Sequence, residues 1–205
     1  MPITRGFKGK RSNVDTAHDR IPPGQYLTQD FPVLTAGPTQ RTPVENWSLT
    51  LQRGGEKLAH WSWEQFEALQ QTERTTDIHC VTKWTKFDTR WRGVTIDDLM
   101  KAAELSAPPT QFVMAHCDGG YTTNLPVADL LDGKAMIATQ YDNLAIPVTH
   151  GGPARLLVPH LYFWKSAKWV RRLEFIDANT PGFWESMGYH IHGDPWREQR
   201  YTGDA

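Results

Sequence analysis

Both cysteines of the chain, Cys80 and Cys117, follow a histidine, in the dipeptides His79-Cys80 and His116-Cys117. Three chemistries are open to such a thiol. It can be a small buried hydrophobe, a nucleophile served by a base, or a ligand for a soft metal. His79 is a poor base for Cys80, because TTDIHCV reads as a strand and neighbours on a strand point to opposite faces. A zinc site made of both dipeptides meets the same objection, and the spacing matches no CxxC or HxxxH pattern. A second concentration of chemistry is HGGPARLLVPHLYFWKSAKWV, residues 150–170. Gly151 and Gly152 let backbone come close to a ligand. Arg155 can grip a phosphate with two hydrogen bonds, Lys168 supplies a point charge, and Ser166 adds a hydroxyl. The stretch suits a phosphate cradle, although GxxxxGK[ST] and GxGxxG are absent; an amphipathic strand with a surface loop fits the same residues. Tyr189, His190 and His192 form a third group. The two histidines would share a face if extended and could bind metal, but a polar C-terminal tail is the expectation.

These residues need elements to hold them. NWSLTLQ alternates apolar and polar residues as a strand does. SWEQFEALQQ opens with Ser62 and has Gln65 three residues on, a capping box, with Trp63, Phe66 and Leu69 on one face. TIDDLMKAAEL repeats the logic with Thr95 as N-cap and Asp98. QFVMAHC, AMIATQYD and ARLLVP read as strands, DGG as a turn, and NLPVADLL as a short helix with Pro126 near its start. KWVRRLEFID reads as a strand with a partly exposed face. The tract opened by CVTKWT shows no core periodicity. Strands and helices mix without a βαβ beat, so the expected class is α+β with a mixed sheet.

The chain has 205 residues and a formal net charge of -1. One sizeable domain over 21–205 fits that length, after a polar segment at 1–20 expected to be disordered or peripheral. Residues 21–44 are proline-rich and read as an extended segment on the surface. The near-zero charge gives no general case for nucleic acid, and no apolar run is long enough for a membrane span. No secretory h-region follows the basic N-terminus, so a cytoplasmic location is expected. Nine tryptophans point to a core with packing anchors and to some flat pocket walls.

In order and spacing the pieces resemble the molybdopterin-binding domain of the sulfite oxidase family. The strand-end Cys80 is followed by WRGVTIDDLMKAA, then FVMAHCDGGYTTNLP, LAIPVTHGGPARLLVP and KSAKWVRRLEF, and the likeness covers roughly 45–190. It is strongest to short single-domain bacterial and archaeal members. The resemblance implies a mixed-sheet α+β domain binding molybdenum-molybdopterin with one pyranopterin, and Cys80 as the thiolate on the metal. His150 and Arg155 would contact the pterin and its phosphate. The turn Ser166-Ala167-Lys168 would hold the phosphate, and Cys117 and Asp118 would give another pterin contact. Tyr189 matches the family's active-site tyrosine. Sulfite oxidases follow their cysteine with AGNRR, whereas here VTKWT follows; Lys83 would replace part of that positive charge and Trp84 would wall the pocket. The implied activity is oxygen-atom or two-electron transfer at a small substrate (a sulfur oxyanion, sulfoxide or N-oxide), with electrons exchanged with a separate redox protein. A molybdopterin carrier without turnover is the alternative.

Overall fold

The tract after Cys80, where the sequence shows no alternation, forms a twelve-residue strand, Trp84–Thr95, at the centre of one of two sheets. Its ends are buried on both faces while its middle exposes Asp88 and Arg90, which erases the period-two signal a one-sided strand would show. The computed structural model describes residues 18–205. The expected polar segment 1–20 therefore lies largely outside the described residues. His18–Arg20 form a 3-10 turn, and Arg20 Nε donates to Asp77 at 2.9 Å.

In chain order the elements are β1 (Tyr26–Leu27), β2 (Ser48–Arg53), β3 (Glu56–Ser62), α1 (Trp63–Glu67), β4 (Thr72–His79), β5 (Trp84–Thr95), α2 (Ile96–Ala102), β6 (Phe112–Cys117), β7 (Thr122–Pro126), β8 (Met136–Tyr141), β9 (Leu144–Ala145), β10 (Arg155–Leu157), β11 (Val170–Ile176) and α3 (Phe183–Ser186). The first sheet runs β1-β5-β8-β10, with β4 also on β5 and β9 on β8; the second runs β3-β2-β11-β6-β7. β1 with β5 and β2 with β11 are parallel pairs, and the others are antiparallel. The class is thus α+β with mixed sheets.

The caps behave as their chemistry dictates. Ser62 and Gln65 form a reciprocal capping box on α1, and the Thr95 hydroxyl accepts from the Asp98 amide at 3.1 Å to start α2. NLPVADLL is a correction. Its first residues belong to β7, which ends at Pro126 opposite Phe112, and only Val127–Asp129 turn as a 3-10 helix. A proline at the last rung of an edge strand removes no ladder bond, so the signal that suggested a helix start instead ends a strand.

A large apolar core spans Leu49, Leu51, Phe66, Leu99, Val113, Leu125, Ile137, Leu156 and Leu173. A smaller one holds Ile78, Cys80, Trp84, Trp91, Met136 and Phe163. Residues 158–169 carry the chain from β10 in one sheet to β11 in the other, and most of this segment is buried.

The C-terminal segment is packed and not a free tail. His190 Nδ1 accepts from the amides of His192 and Gly193 at 3.0 Å, and Gly193 carbonyl accepts from the Tyr162 amide at 2.7 Å. Asp129 ties it down, with Oδ2 2.9 Å from His192 Nε2 and Oδ1 3.0 Å from His160 Nε2. Burial opposes ionisation of Asp129, but the two histidine hydrogen bonds outweigh it and hold the carboxyl below its usual range. The same bond raises His192. The signs set a window. Asp129 contributes stability above its unfolded value near 3.8, and loses it as pH falls. His192 contributes below its unfolded value near 6.5, and loses it as pH rises through its raised value. Urea titrations at pH 5.5 and 8.5 should show wild type exceeding Asp129→Asn by more at the lower pH; an equal gap at both would contradict the pairing.

Candidate active site

Cys80 is the first residue of a turn that joins β4 to β5. Its amide donates to the Trp84 carbonyl and its carbonyl accepts from the Lys83 amide, both at 2.9 Å, and Lys83 closes the turn at φ +75°. The ladder fixes which way each neighbour faces. His79 Nδ1 meets Thr85 Oγ1 at 3.0 Å within the sheet, and burial lowers its pKa to about 4. Cys80 lines a cavity of about 330 Å³. The residue is 7% exposed; burial raises the pKa of its thiol, and the Thr82 hydroxyl, which donates to Sγ at 3.1 Å, works the other way.

Ends of both sheets form this cavity. From the first come Cys80 and Trp84; from the turn after β6 come Asp118, Gly119 and Gly120; from the loop before β10 comes His150; and from the crossing segment come Ser166, Ala167 and Lys168. Arg155 and Tyr189 also line it. Of the eleven residues to which the family resemblance gives a site role, nine are thereby gathered in one place. The other two are not. Lys83 is exposed, outside the lining. Cys117 faces the large core, where burial drives its thiol well up.

The cations are held tightly. Arg155 is 1% exposed and donates from Nη1 to His150 carbonyl at 2.8 Å and from Nη2 to Ser166 carbonyl at 2.6 Å. Its guanidinium lies 4.1 Å from the Phe163 ring centroid. Ser166 Oγ accepts from the Val158 amide at 2.8 Å. Lys168 Nζ donates to the carbonyls of Leu34 and Thr149 at 2.7 and 2.6 Å; burial and then the Arg155 charge lower its pKa to about 8. Burial first, then Arg155 and Lys168, bring His150 to about 4, so its ring is neutral near pH 7. Asp118 Oδ2 accepts from Thr42 Oγ1 at 2.6 Å and from Arg171 Nη1 at 3.3 Å.

Phe31 was not legible from the sequence. It stacks on His150 with centroids 3.9 Å apart and planes 15° apart, and residues around it from Pro32 to Gln40 complete the wall. The proline-rich segment is thus extended, as its composition implies, and also forms one side of the site. Trp164, Trp169, Phe183 and Trp184 add aromatic wall. The site has the chemistry for a flat, polar-edged ligand bearing an anion and a soft metal. Among the described residues, three lining side chains carry a buried nitrogen with no partner: Arg155 Nε, His150 Nδ1 and Trp84 Nε1. Unpaired buried nitrogens are costly unless a ligand meets them. A Cβ on Gly120, at φ +81°, would meet open space. Zinc has no comparable support: no group of three or more His, Cys, Asp or Glu able to hold a metal occurs among the described residues, and His116 Nε2 pairs with Glu174 at 2.9 Å in the other sheet.

Residues 36–184 match the family described as the oxidoreductase molybdopterin binding domain. The chain is 40% identical over 199 residues to the uncharacterized oxidoreductase YuiH of Bacillus subtilis, covering 97% of this chain and 100% of that one. It is 27% identical to a putative protein-methionine-sulfoxide reductase subunit, YedZ1, of Azospira oryzae, over 84% of this chain and 66% of the relative. Its fold is similar to that of the sulfane dehydrogenase SoxCD of Paracoccus pantotrophus, with a TM-score of 0.59 and 20% identity, covering 68% of this chain and 40% of that one. A family match across most of the chain, laid over a cavity with a buried thiol at its edge, leads to one conclusion: the chain belongs to the sulfite oxidase-like family of molybdopterin-dependent oxidoreductases.

Proposed function

We propose that the chain carries out oxygen-atom or two-electron transfer at a small uncharged substrate, a sulfoxide or an N-oxide, and exchanges electrons with a separate redox protein. The observation that carries this is the state of the cavity's cations. Among the described lining residues only Arg155 and Lys168 are Lys or Arg, and both donate to backbone carbonyls. With both assigned to the pterin and its phosphate, a dianion such as sulfite would enter without a further positive partner, at a large desolvation cost. The Azospira relative, named as a methionine-sulfoxide reductase subunit, agrees with this class.

Cys80 is proposed as the metal thiolate, with the Thr82 hydroxyl bonded to its sulfur. His150, Arg155 and the Ser166-Ala167-Lys168 turn would hold the pterin and its phosphate, and the aromatic walls would exclude water. When bound, the cofactor supplies a two-electron centre that accepts or gives an oxygen atom. Tyr189, in the cavity wall, would orient the substrate. Trp84 would flank the thiolate.

Dye-coupled assays test the substrate class. Reduction of sulfoxides or N-oxides should exceed sulfite oxidation by at least about 100-fold in kcat/KM; comparable rates with sulfite would contradict the proposal. Arg155→Ala should lower cofactor occupancy after a stringent wash by roughly tenfold, the value of a charge-assisted contact of about 1.5 kcal/mol. Occupancy equal to wild type would remove Arg155 from the binding set.

A further inference from the structure

The two ends of the described chain converge on the turn that carries Cys80. Gln25 Nε2 donates to the Cys80 carbonyl at 3.1 Å. Arg200 Nη1 donates to the Val81 carbonyl at 2.8 Å. Arg200 is 8% exposed, and its guanidinium lies 5.0 Å from the Tyr162 ring centroid. Nη2 reaches the Pro23 carbonyl at 3.4 Å, and Glu198 Oε1 stands 3.7 Å away. Gly24 lies beside this contact at φ +69°, a conformation that favours glycine, and a Cβ there would stand 2.6 Å from Glu198 Oε1 and 3.3 Å from Arg200 Nη2. The backbone of Arg200 faces the other way. Its carbonyl accepts from the His190 amide at 3.1 Å, next to Tyr189 in the cavity wall, and Tyr189 forms an isolated bridge with Tyr201.

We propose that Arg200 is a positioning residue of the reaction centre: its guanidinium fixes the carbonyl beside Cys80, its own carbonyl fixes the amide beside Tyr189, and one residue thereby sets the separation of the thiol and the tyrosine. Gln25 is its counterpart on the turn. The planar fork suits this task, since it can serve two carbonyls from different segments while stacking on a ring. Lysine carries its donors on a single nitrogen and has no planar face for the Tyr162 ring, so it supports the two carbonyls less well. The inference rests on the reading of Cys80 as the metal thiolate, but the strut itself is a matter of hydrogen bonds.

The test uses the cofactor-loaded full chain as wild type, Arg200→Met, Arg200→Lys and Cys80→Ser. Arg200→Met should keep its molybdenum and pterin content and lose roughly tenfold in kcat, with KM changed by less than about twofold, as loss of an outer support does. Its molybdenum(V) electron paramagnetic resonance signal should shift, and exchange of the Lys83 amide, which closes the turn, should accelerate about tenfold. Arg200→Lys should fall between. An Arg200→Met protein with wild-type kcat, resonance signal and Lys83 exchange overturns the proposal, and so does a loss of thermal stability alone. If Arg200→Met does not fold, Arg200→Lys and Gln25→Ala are judged by the same three signals. If Cys80→Ser keeps the wild-type resonance signal, the reading of Cys80 fails, and the exchange of Lys83 and His190 still decides whether the strut exists.

Discussion

Cys80→Ser is expected to fold, to retain pterin, and to lose more than about 100-fold in turnover, because even outer-shell changes at metal sites cost roughly 10–100-fold. The substitution is nearly isosteric and the site is small, so structural cost should be slight. The turn depends on backbone bonds, from Cys80 amide to Trp84 carbonyl and from Lys83 amide to Cys80 carbonyl, and these survive the change. What is lost is softness. A serine hydroxyl is a hard donor with a far higher pKa, and it does not present a thiolate to a soft metal. Turnover, circular dichroism and pterin content measured on one preparation check this. Wild-type turnover would mean that Cys80 is an ordinary buried hydrophobe.

Lys165→Met carries the largest expected effect on stability, a loss of about 3–5 kcal/mol, the cost of stranding one partner of a buried ion pair. Both side chains are shut away from solvent, at 0% and 1%, with Lys165 Nζ 2.6 Å from Glu185 Oε1. Burial lowers the pKa of Lys165 and the Glu185 charge opposes that. The ammonium also donates to the Asn124 carbonyl at 2.9 Å and the Ile191 carbonyl at 2.8 Å, while Glu185 Oε1 accepts from Thr123 Oγ1 and Trp164 Nε1, both at 2.8 Å. One lysine therefore joins β7, α3 and the segment after Tyr189. Removing it leaves the buried Glu185 carboxyl without its cation. The double change Lys165→Met with Glu185→Leu removes both charges and should recover most of the loss. Urea unfolding measures both; a single variant within about 1 kcal/mol of wild type would show that the pair is solvated.

Legibility followed the range of the contacts. Cys80 and the run from His150 to Lys168 were readable because their residue types carry chemistry and lie close in sequence. Phe31 was not, because its role rests on a stack with His150 and a lysine bond 134 residues away, from Lys168 to the Leu34 carbonyl. No local pattern encodes either. β5 was missed because burial on both faces removes alternation. Lys83 looked like a pocket cation by its nearness to Cys80, yet the turn that aims the thiol inward leaves the lysine in solvent. His190 and His192 looked like tail residues; their structure depends on Asp129, more than sixty positions earlier. The capping box at Ser62 and the N-cap at Thr95 came through because a cap is a short-range pattern, closed within one turn.

The most direct test of the central claim, that the Cys80 thiolate is the metal ligand in this cavity, is molybdenum-edge X-ray absorption on wild type and Cys80→Ser purified from a host that makes the cofactor. The expected result is one fewer sulfur neighbour in the variant, with molybdenum and pterin still present. An unchanged sulfur count in the variant would contradict it, and would require the metal to be held elsewhere on the chain.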